Sequence, residues 1–196
     1  MAVFIAMCVY SLSMSISPGP VNLVALTSGL NNGFRSAMPF VSGGAIGFAL
    51  LLLAIGLGVG TVATSFPLFL SVLGYGGSAF IFYVGYKIAT ADPVIKQTSE
   101  TSSSFTHGFV LQWLNPKAWI ASISGIGAFE LEEIYPLLQF VTIYFLICYA
   151  SIACWALAGD KMNLLLNEPT KLKAFNALMG GLLMLVAIYL LAIQFL

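Results

Sequence analysis

The sequence predicts an all-α integral membrane protein with six transmembrane helices, built as two inverted three-helix repeats in which helices 1 and 4 are broken at proline. Three observations predict this fold: the composition, the charge-free segments, and one proline-centred break in each half of the chain. Only 7 % of the 196 residues are charged and 60 % are apolar. A soluble domain has about 25 % charged residues, so this composition excludes an ordinary soluble protein.

Long charge-free segments place the spans, because a helix needs about 20 apolar residues to cross a bilayer. Residues 1–34 and 36–86 contain no charged side chain, and the second segment is long enough for two helices. Residues 105–129 are apolar apart from His107 and Lys117. The predicted helices are 3–28, 37–61, 67–89, 105–128, 135–158 and 174–195.

A polar stretch divides the chain into two halves. The predicted organisation is a first three-helix half at residues 1–91, a cytoplasmic connector at 92–104, and a second three-helix half at 105–196. Two halves with three spans each have opposite orientations in the membrane. This is the arrangement of inverted-repeat transporters, whose sites form at discontinuous helices near the bilayer midplane.

The basic residues predict the orientation. Six of the seven Lys and Arg residues fall on one side of a six-helix arrangement, namely Arg35, Lys87, Lys96, Lys161, Lys171 and Lys173. By the positive-inside rule, that side is cytoplasmic and both termini lie outside the cytoplasm. The first helix has no preceding Lys or Arg, so we expect no signal peptide.

Each half contains a helix-breaking motif, Ser17-Pro18-Gly19-Pro20-Val21-Asn22 in helix 1 and Gln112-Trp113-Leu114-Asn115-Pro116-Lys117 in helix 4. Proline removes a backbone donor and clashes with the preceding turn. A carbonyl freed in this way is costly in hydrocarbon unless protein or a polar cavity meets it. The motifs are therefore either structural kinks or the walls of a polar binding centre, and their recurrence beside a charge favours the second interpretation.

Lys117 is the charged residue that the sequence places deepest in a span. It lies about twelve residues into helix 4, or about 18 Å along a helix that rises about 1.5 Å per residue. A charge at that depth costs about 2.5 to 3.5 kcal/mol on insertion scales and usually has a function. Three roles are open for it: binding an anionic group of a substrate, carrying a proton, or bonding the free carbonyls of the helix 1 break.

The remaining notable residues have simpler predictions. Glycines spaced four apart predict close helix packing; these pairs are Gly29/Gly33, Gly43/Gly47 and Gly56/Gly60. Cys8, Cys148 and Cys154 have no metal-site spacing and are expected to pack in helices. His107 has no obvious triad partner, so no catalytic residue is predicted.

Several of these motifs together carry a family resemblance. Pro18-Gly19-Pro20 with Asn22, followed by Gly33-Phe34-Arg35 and a glycine-rich second helix, resembles the lysine exporter (LysE/RhtB) family of amino-acid exporters. In the second half, Gly108-Phe109 followed by Asn115-Pro116-Lys117 is similar to the same family. The resemblance covers essentially the whole chain, including the six-span layout.

Other segments bear on the branch within that family. Residues 155–159, Trp-Ala-Leu-Ala-Gly, are similar to the branch that exports cysteine and O-acetylserine. Val21 stands where many members have Asn, and residues 123–127 replace a Pro-Gln-Phe motif found in many relatives. These departures concern the identity of the substrate more than transport itself.

The resemblance implies a secondary transporter that exports amino acids or their derivatives by alternating access from a bacterial cytoplasm across the inner membrane. The expected partners are a small amino-acid substrate, the lipid bilayer and a coupling ion, H⁺; no cofactor, metal or nucleic acid is expected. The residues expected to bind substrate are Lys117, Asn115, Pro116, Pro18, Gly19, Pro20, Asn22 and Gln112. The alternative function is an inorganic ion exporter or channel, which would need carboxylate, carbonyl, His or Cys ligands in the spans.

Overall fold

A computed structural model describes residues 1–59, 67–91, 104–163 and 168–193, and within these ranges the chain forms helices and no strand. The predicted all-α class is therefore confirmed for this part of the chain. The α-helices are α1 (Ala2–Ile16), α2 (Pro20–Asn32), α3 (Phe34–Ala54), α4 (Pro67–Ala89), α5 (Phe105–Trp113), α6 (Pro116–Ala128), α7 (Ile134–Asn163) and α8 (Pro169–Ile193). A π-helical turn, Ile55–Val59, extends α3.

Both predicted helix breaks are present. The first predicted span consists of α1 and α2, which meet at a bend of 61°. The fourth consists of α5 and α6, which are separated by Leu114 and Asn115. Proline is the first residue of both α2 and α6, where its missing N–H removes no helical hydrogen bond.

The predicted boundaries need correction at several helix ends. The helix predicted at 67–89 is confirmed as α4, but the second span begins at Phe34 rather than residue 37. The last two helices also differ: α7 continues to Asn163 and α8 begins at Pro169. The charge-free segments underestimated the lengths of α7 and α8, because a helix can continue past the apolar segment into water, where charged residues are tolerated. The predicted break at residues 61–67 and connector at 92–104 lie almost wholly outside the described residues.

The described helices include several that are long and apolar enough to cross a membrane. Three meet this criterion over Phe34–Gly58, Ile134–Met162 and Pro169–Ala192, and the bent α1–α2 pair is a fourth if it forms one span. The chain is thus a multi-pass membrane protein. Neither α4 nor the α5–α6 pair is among these helices, so the six-span count stays a prediction.

Glycine packing sets how closely the helices approach. A Cβ atom at Gly29 of α2 would overlap the backbone carbonyl of Ala156 in α7, and one at Gly43 of α3 would overlap that of Phe105 in α5. The packing prediction is confirmed for these two glycines. Gly33 has another role, because it separates α2 from α3 with φ of 83°, a conformation that favours glycine. These contacts hold the two broken spans against α7 and α3.

Candidate functional site

Three backbone carbonyls at the break between α1 and α2 accept hydrogen bonds from the side chains of Asn22 and Trp155. The side-chain amide of Asn22 donates to Ser15 O at 2.7 Å and to Ser17 O at 2.9 Å. The indole Nε1 of Trp155 on α7 donates to Ile16 O at 3.0 Å. The carbonyls freed by the Pro18-Gly19-Pro20 motif therefore meet protein donors, as hydrocarbon burial requires. Trp155 was not predicted to take part.

Backbone groups at the break between α5 and α6 also hydrogen-bond to side chains. Asn115 is the N-cap of α6, and its side-chain oxygen accepts from the backbone N–H of Lys117 at 3.2 Å. At the end of α5, the carbonyl of Trp113 accepts from Nε1 of Trp119 at 2.8 Å. Asn115 therefore acts first as a helix cap, which is a common role for asparagine after a turn.

Lys117 joins the two breaks. Its Nζ donates to the carbonyl of Ser17 at 2.8 Å and to Ser17 Oγ at 2.8 Å. This is the third of the roles that the sequence left open, bonding to the free carbonyls of helix 1. A lysine ammonium has three donors, and these contacts use two of them. The remaining N–H is available to another partner, so the structural contact and a binding role are compatible.

A small cavity lies where the two breaks meet. Five of the eight predicted site residues line it: Gly19, Asn22, Gln112, Asn115 and Lys117. The three prolines do not; Pro20 and Pro116 begin α2 and α6, and Pro18 lies in the break itself. The cavity volume is about 40 Å³, room for about three water molecules.

Other lining residues were missed by sequence reasoning. Ser15 comes from α1, Phe48 from α3, and Tyr144, Cys148 and Ile152 from α7. The rings of Phe48 and Tyr144 stack with centroids 4.3 Å apart. Cys148, expected to pack between helices, is buried but faces the cavity. An apolar span gives little sign of which residues face inward, although a buried Tyr in such a span is a weak signal.

The electrostatics of the cavity favour an anion at one end. Gly19 is the N-cap of α2 and makes no side-chain cap, so the first-turn N–H groups of α2 lack the cap that Asn115 supplies to α6. A helix N-terminus has a partial positive charge and binds anions. The Lys117 ammonium lies beside it, since a Cβ atom at Gly19 would be 3.3 Å from Nζ.

Gln112 provides the complementary group. It is buried and lines the cavity, and no group in the described part of the chain hydrogen-bonds to its Oε1. A buried carbonyl oxygen left in this state costs about 1 to 3 kcal/mol, so a donor from a bound molecule would be stabilising. The cavity thus combines a positive end with a free acceptor, a pattern that fits the carboxylate and ammonium groups of a zwitterion. In the described part of the chain, no three His, Cys, Asp or Glu side chains come close enough together to hold a metal ion.

The chain matches a known protein family over most of its length. Residues 12–194 match the family described as LysE type translocator. The chain belongs to the LysE type translocator family. The predicted family and the prediction of a transporter rather than an enzyme are thereby confirmed. Both breaks and every residue that lines the cavity fall within the matched range.

Individual relatives of this translocator are known from enteric bacteria. The cysteine/O-acetylserine efflux proteins of Escherichia coli (strain K12), Escherichia coli O1:K1 / APEC and Shigella flexneri serotype 5b (strain 8401) are each 29 % identical to it over 163 residues. The matched region covers 81 % of this chain and 83 % of each relative. No solved structure matches the chain.

Proposed function

We propose that this translocator exports small amino acids or amino-acid derivatives of the cysteine and O-acetylserine class from the bacterial cytoplasm across the inner membrane. The cavity between the two broken helices carries the proposal, because its groups match the charges of a zwitterion. The efflux proteins to which the chain is similar give the substrate class.

The substrate carboxylate would bind at the positive end of the cavity. There it would receive the third N–H of Lys117 and the first-turn amides of α2, near Val21. The substrate ammonium would donate to Gln112 Oε1, and the substrate side chain would face Tyr144 and Cys148. Asn22 supports this site indirectly, because both of its amide donors already hold the backbone of the break.

Alternating access would follow from the size of the cavity and the packing of the helices. About 40 Å³ does not admit an amino acid, so substrate entry requires the surrounding helices to separate. The broken α1–α2 span packs on α7 and the broken α5–α6 span packs on α3, while α4 packs on α8. The broken span of each half therefore packs on a helix of the other half. This arrangement supports two inverted repeats of three spans, which rock about the site between them.

The distribution of charge supports the proposed orientation. Asp160, next to Lys161 at the end of α7, lies beside Gly33, which precedes Arg35. The start of α3, which carries Arg35, and the end of α7, which carries Lys161, therefore lie together, and the positive-inside rule makes this the cytoplasmic face. Both termini would then lie outside the cytoplasm. We take H⁺ as the coupling ion, with Lys117 as the group that exchanges it.

An efflux assay with a matched pair of variants tests this function. Inverted vesicles would be supplied with labelled cysteine, O-acetylserine and other amino acids, and wild type compared with Lys117→Ala and Lys161→Ala. Uptake of one solute that Lys117→Ala abolishes and Lys161→Ala leaves unchanged supports the proposal. An absence of flux for every solute, with wild-type protein well folded in the membrane, refutes it.

A further inference from the structure

A second and larger cavity lies between α2, α4 and α5. Its volume is about 250 Å³. An engineered protein cavity of about 150 Å³ admits benzene, so this space exceeds what a small amino acid needs. We propose that this cavity is a loading vestibule that captures the substrate carboxylate before it reaches Lys117. The inference rests on the export function proposed above.

Each of the three helices around the vestibule contributes polar side chains to its wall. Thr27, Ser28 and Asn31 contribute from α2, Tyr83 and Lys87 from α4, and His107 from α5. Thr27 Oγ1 donates to Leu23 O and Val24 O, and the Asn31 amide pairs with Thr27 O and Asn176, so these side chains give a polar wall while Lys87 adds the positive charge. Such a set is suited to a small solute with a carboxylate and at least one further polar group.

Lys87 provides the charge that would attract an anionic group. It is exposed at the rim, and its Nζ lies 5.8 Å from the ring centroid of Tyr83, within the range of a cation–π interaction. The salt bridge found among the described residues joins Lys171 and Glu168, so no described carboxylate neutralises Lys87. The aromatic contact positions the ammonium without cancelling its charge.

The other walls are held in place by contacts of their own. The amides of Asn31 and Asn176 donate to each other at 3.2 and 3.1 Å, which fixes Asn31 against α8. The His107 ring lies edge-on to Phe40 and Phe80, with centroids 5.9 and 5.8 Å away. The side chains of Asn31 and His107 are therefore held in defined positions in the wall of the vestibule.

The vestibule and the central cavity follow each other along α2. Val21 lines the central cavity, whereas Val24, Ser28 and Asn31 line the vestibule, and this spacing places all four on one helix face. Val21 and Ser28 are seven residues apart, or about 10 Å along the axis. On α5, Gln112 lines the first cavity and His107 the second. A solute leaving the vestibule along α2 thus arrives at the positive end of the central site.

Transport kinetics in inverted vesicles test the vestibule. Loss of an exposed charge that binds a carboxylate weakens affinity by about 1 kcal/mol, so we expect Lys87→Gln to raise KM about fivefold with little change in kcat. Lys87→Arg keeps the charge and should restore the wild-type KM. Lys161→Gln removes a charge from the same face outside the cavity and should leave both constants unchanged.

A second variant tests the space rather than the charge. Val84 is buried and lines the vestibule, so Val84→Phe fills it and should slow uptake at all substrate concentrations. Wild-type constants in both Lys87→Gln and Val84→Phe, with active wild-type protein, refute the vestibule alone. A wild type that transports no amino acid refutes the export function and the vestibule with it.

Discussion

Lys117→Met separates a binding role of the lysine from a purely structural one. Methionine keeps most of the length of the side chain but removes the ammonium, which donates to Ser17 O and Ser17 Oγ. If Lys117 mainly links the two breaks through its hydrogen bonds, its removal should unfold the site. If it binds the substrate carboxylate, export should fail while the fold persists.

The free energies lost and regained in Lys117→Met indicate that the variant still folds. Hydrogen bonds from a charged donor contribute about 1.5 to 3 kcal/mol each, so losing both costs about 3 to 6 kcal/mol. Removing an ammonium from the middle of a bilayer returns about 2.5 to 3.5 kcal/mol. The net loss is therefore about 0 to 3.5 kcal/mol, or at most about 14 °C in Tm. Loss of one charged contact to the substrate lowers kcat/KM about 10- to 150-fold.

Two measurements on the Lys117→Met protein decide between these roles. Thermal unfolding of the purified Lys117→Met protein reports the fold, and uptake into inverted vesicles at matched protein amounts reports transport. Ser17→Ala is the control, since it removes one acceptor of Lys117 and keeps the ammonium. Export by Lys117→Met at the wild-type rate would refute the binding role. A loss of export no greater than the loss of folded protein would leave Lys117 as a structural residue.

Three further predictions, two of them with a matched control substitution, concern the helix packing and the breaks. Gly29→Ala should lower stability by about 1 to 3 kcal/mol or more in thermal unfolding, because its Cβ overlaps the Ala156 carbonyl. Gly181→Ala has open space at its Cβ and should unfold as wild type does. Trp155→Phe should cost about 1 kcal/mol by leaving a break carbonyl without its donor; an unchanged Tm would contradict this. Asn115→Ala should cost about 1 kcal/mol as a lost cap, and Asn115→Ser should recover most of it.

The sequence predicted the broken helices correctly because proline acts locally. Pro20 and Pro116 each lack a backbone donor, so each begins a helix without the loss of a helical hydrogen bond. Lys117 was predicted as a site residue because a charge in an apolar span is unusual in any fold, and it lines the central cavity. These signals located the centre of the candidate site before any packing was known.

The side chains that bond to the backbone at the breaks could not be predicted from the sequence in the same way. Trp155 reaches Ile16 from 139 positions away along the chain, and Lys117 reaches Ser17 from 100. Such contacts depend on how the helices pack, which in lipid is set by small residues and shape rather than by a polar and an apolar face. For the same reason Tyr144 was not distinguished from aromatic residues that face lipid.

The contacts of Asn22 show that the residues around the cavity have two different roles. Some bond to the backbone at the breaks, and others face the cavity. Asn22, Asn115 and Trp155 satisfy the backbone of the breaks, and so they hold the helix ends in position. Among the described residues that line the cavity, Gln112 Oε1 lacks such a partner, and the N-terminus of α2 has no side-chain cap. In a medium where unsatisfied polar groups are costly, a protein keeps them open where a ligand supplies the missing contacts. The groups left open, more than the motifs that surround them, are therefore where the substrate is expected to bind.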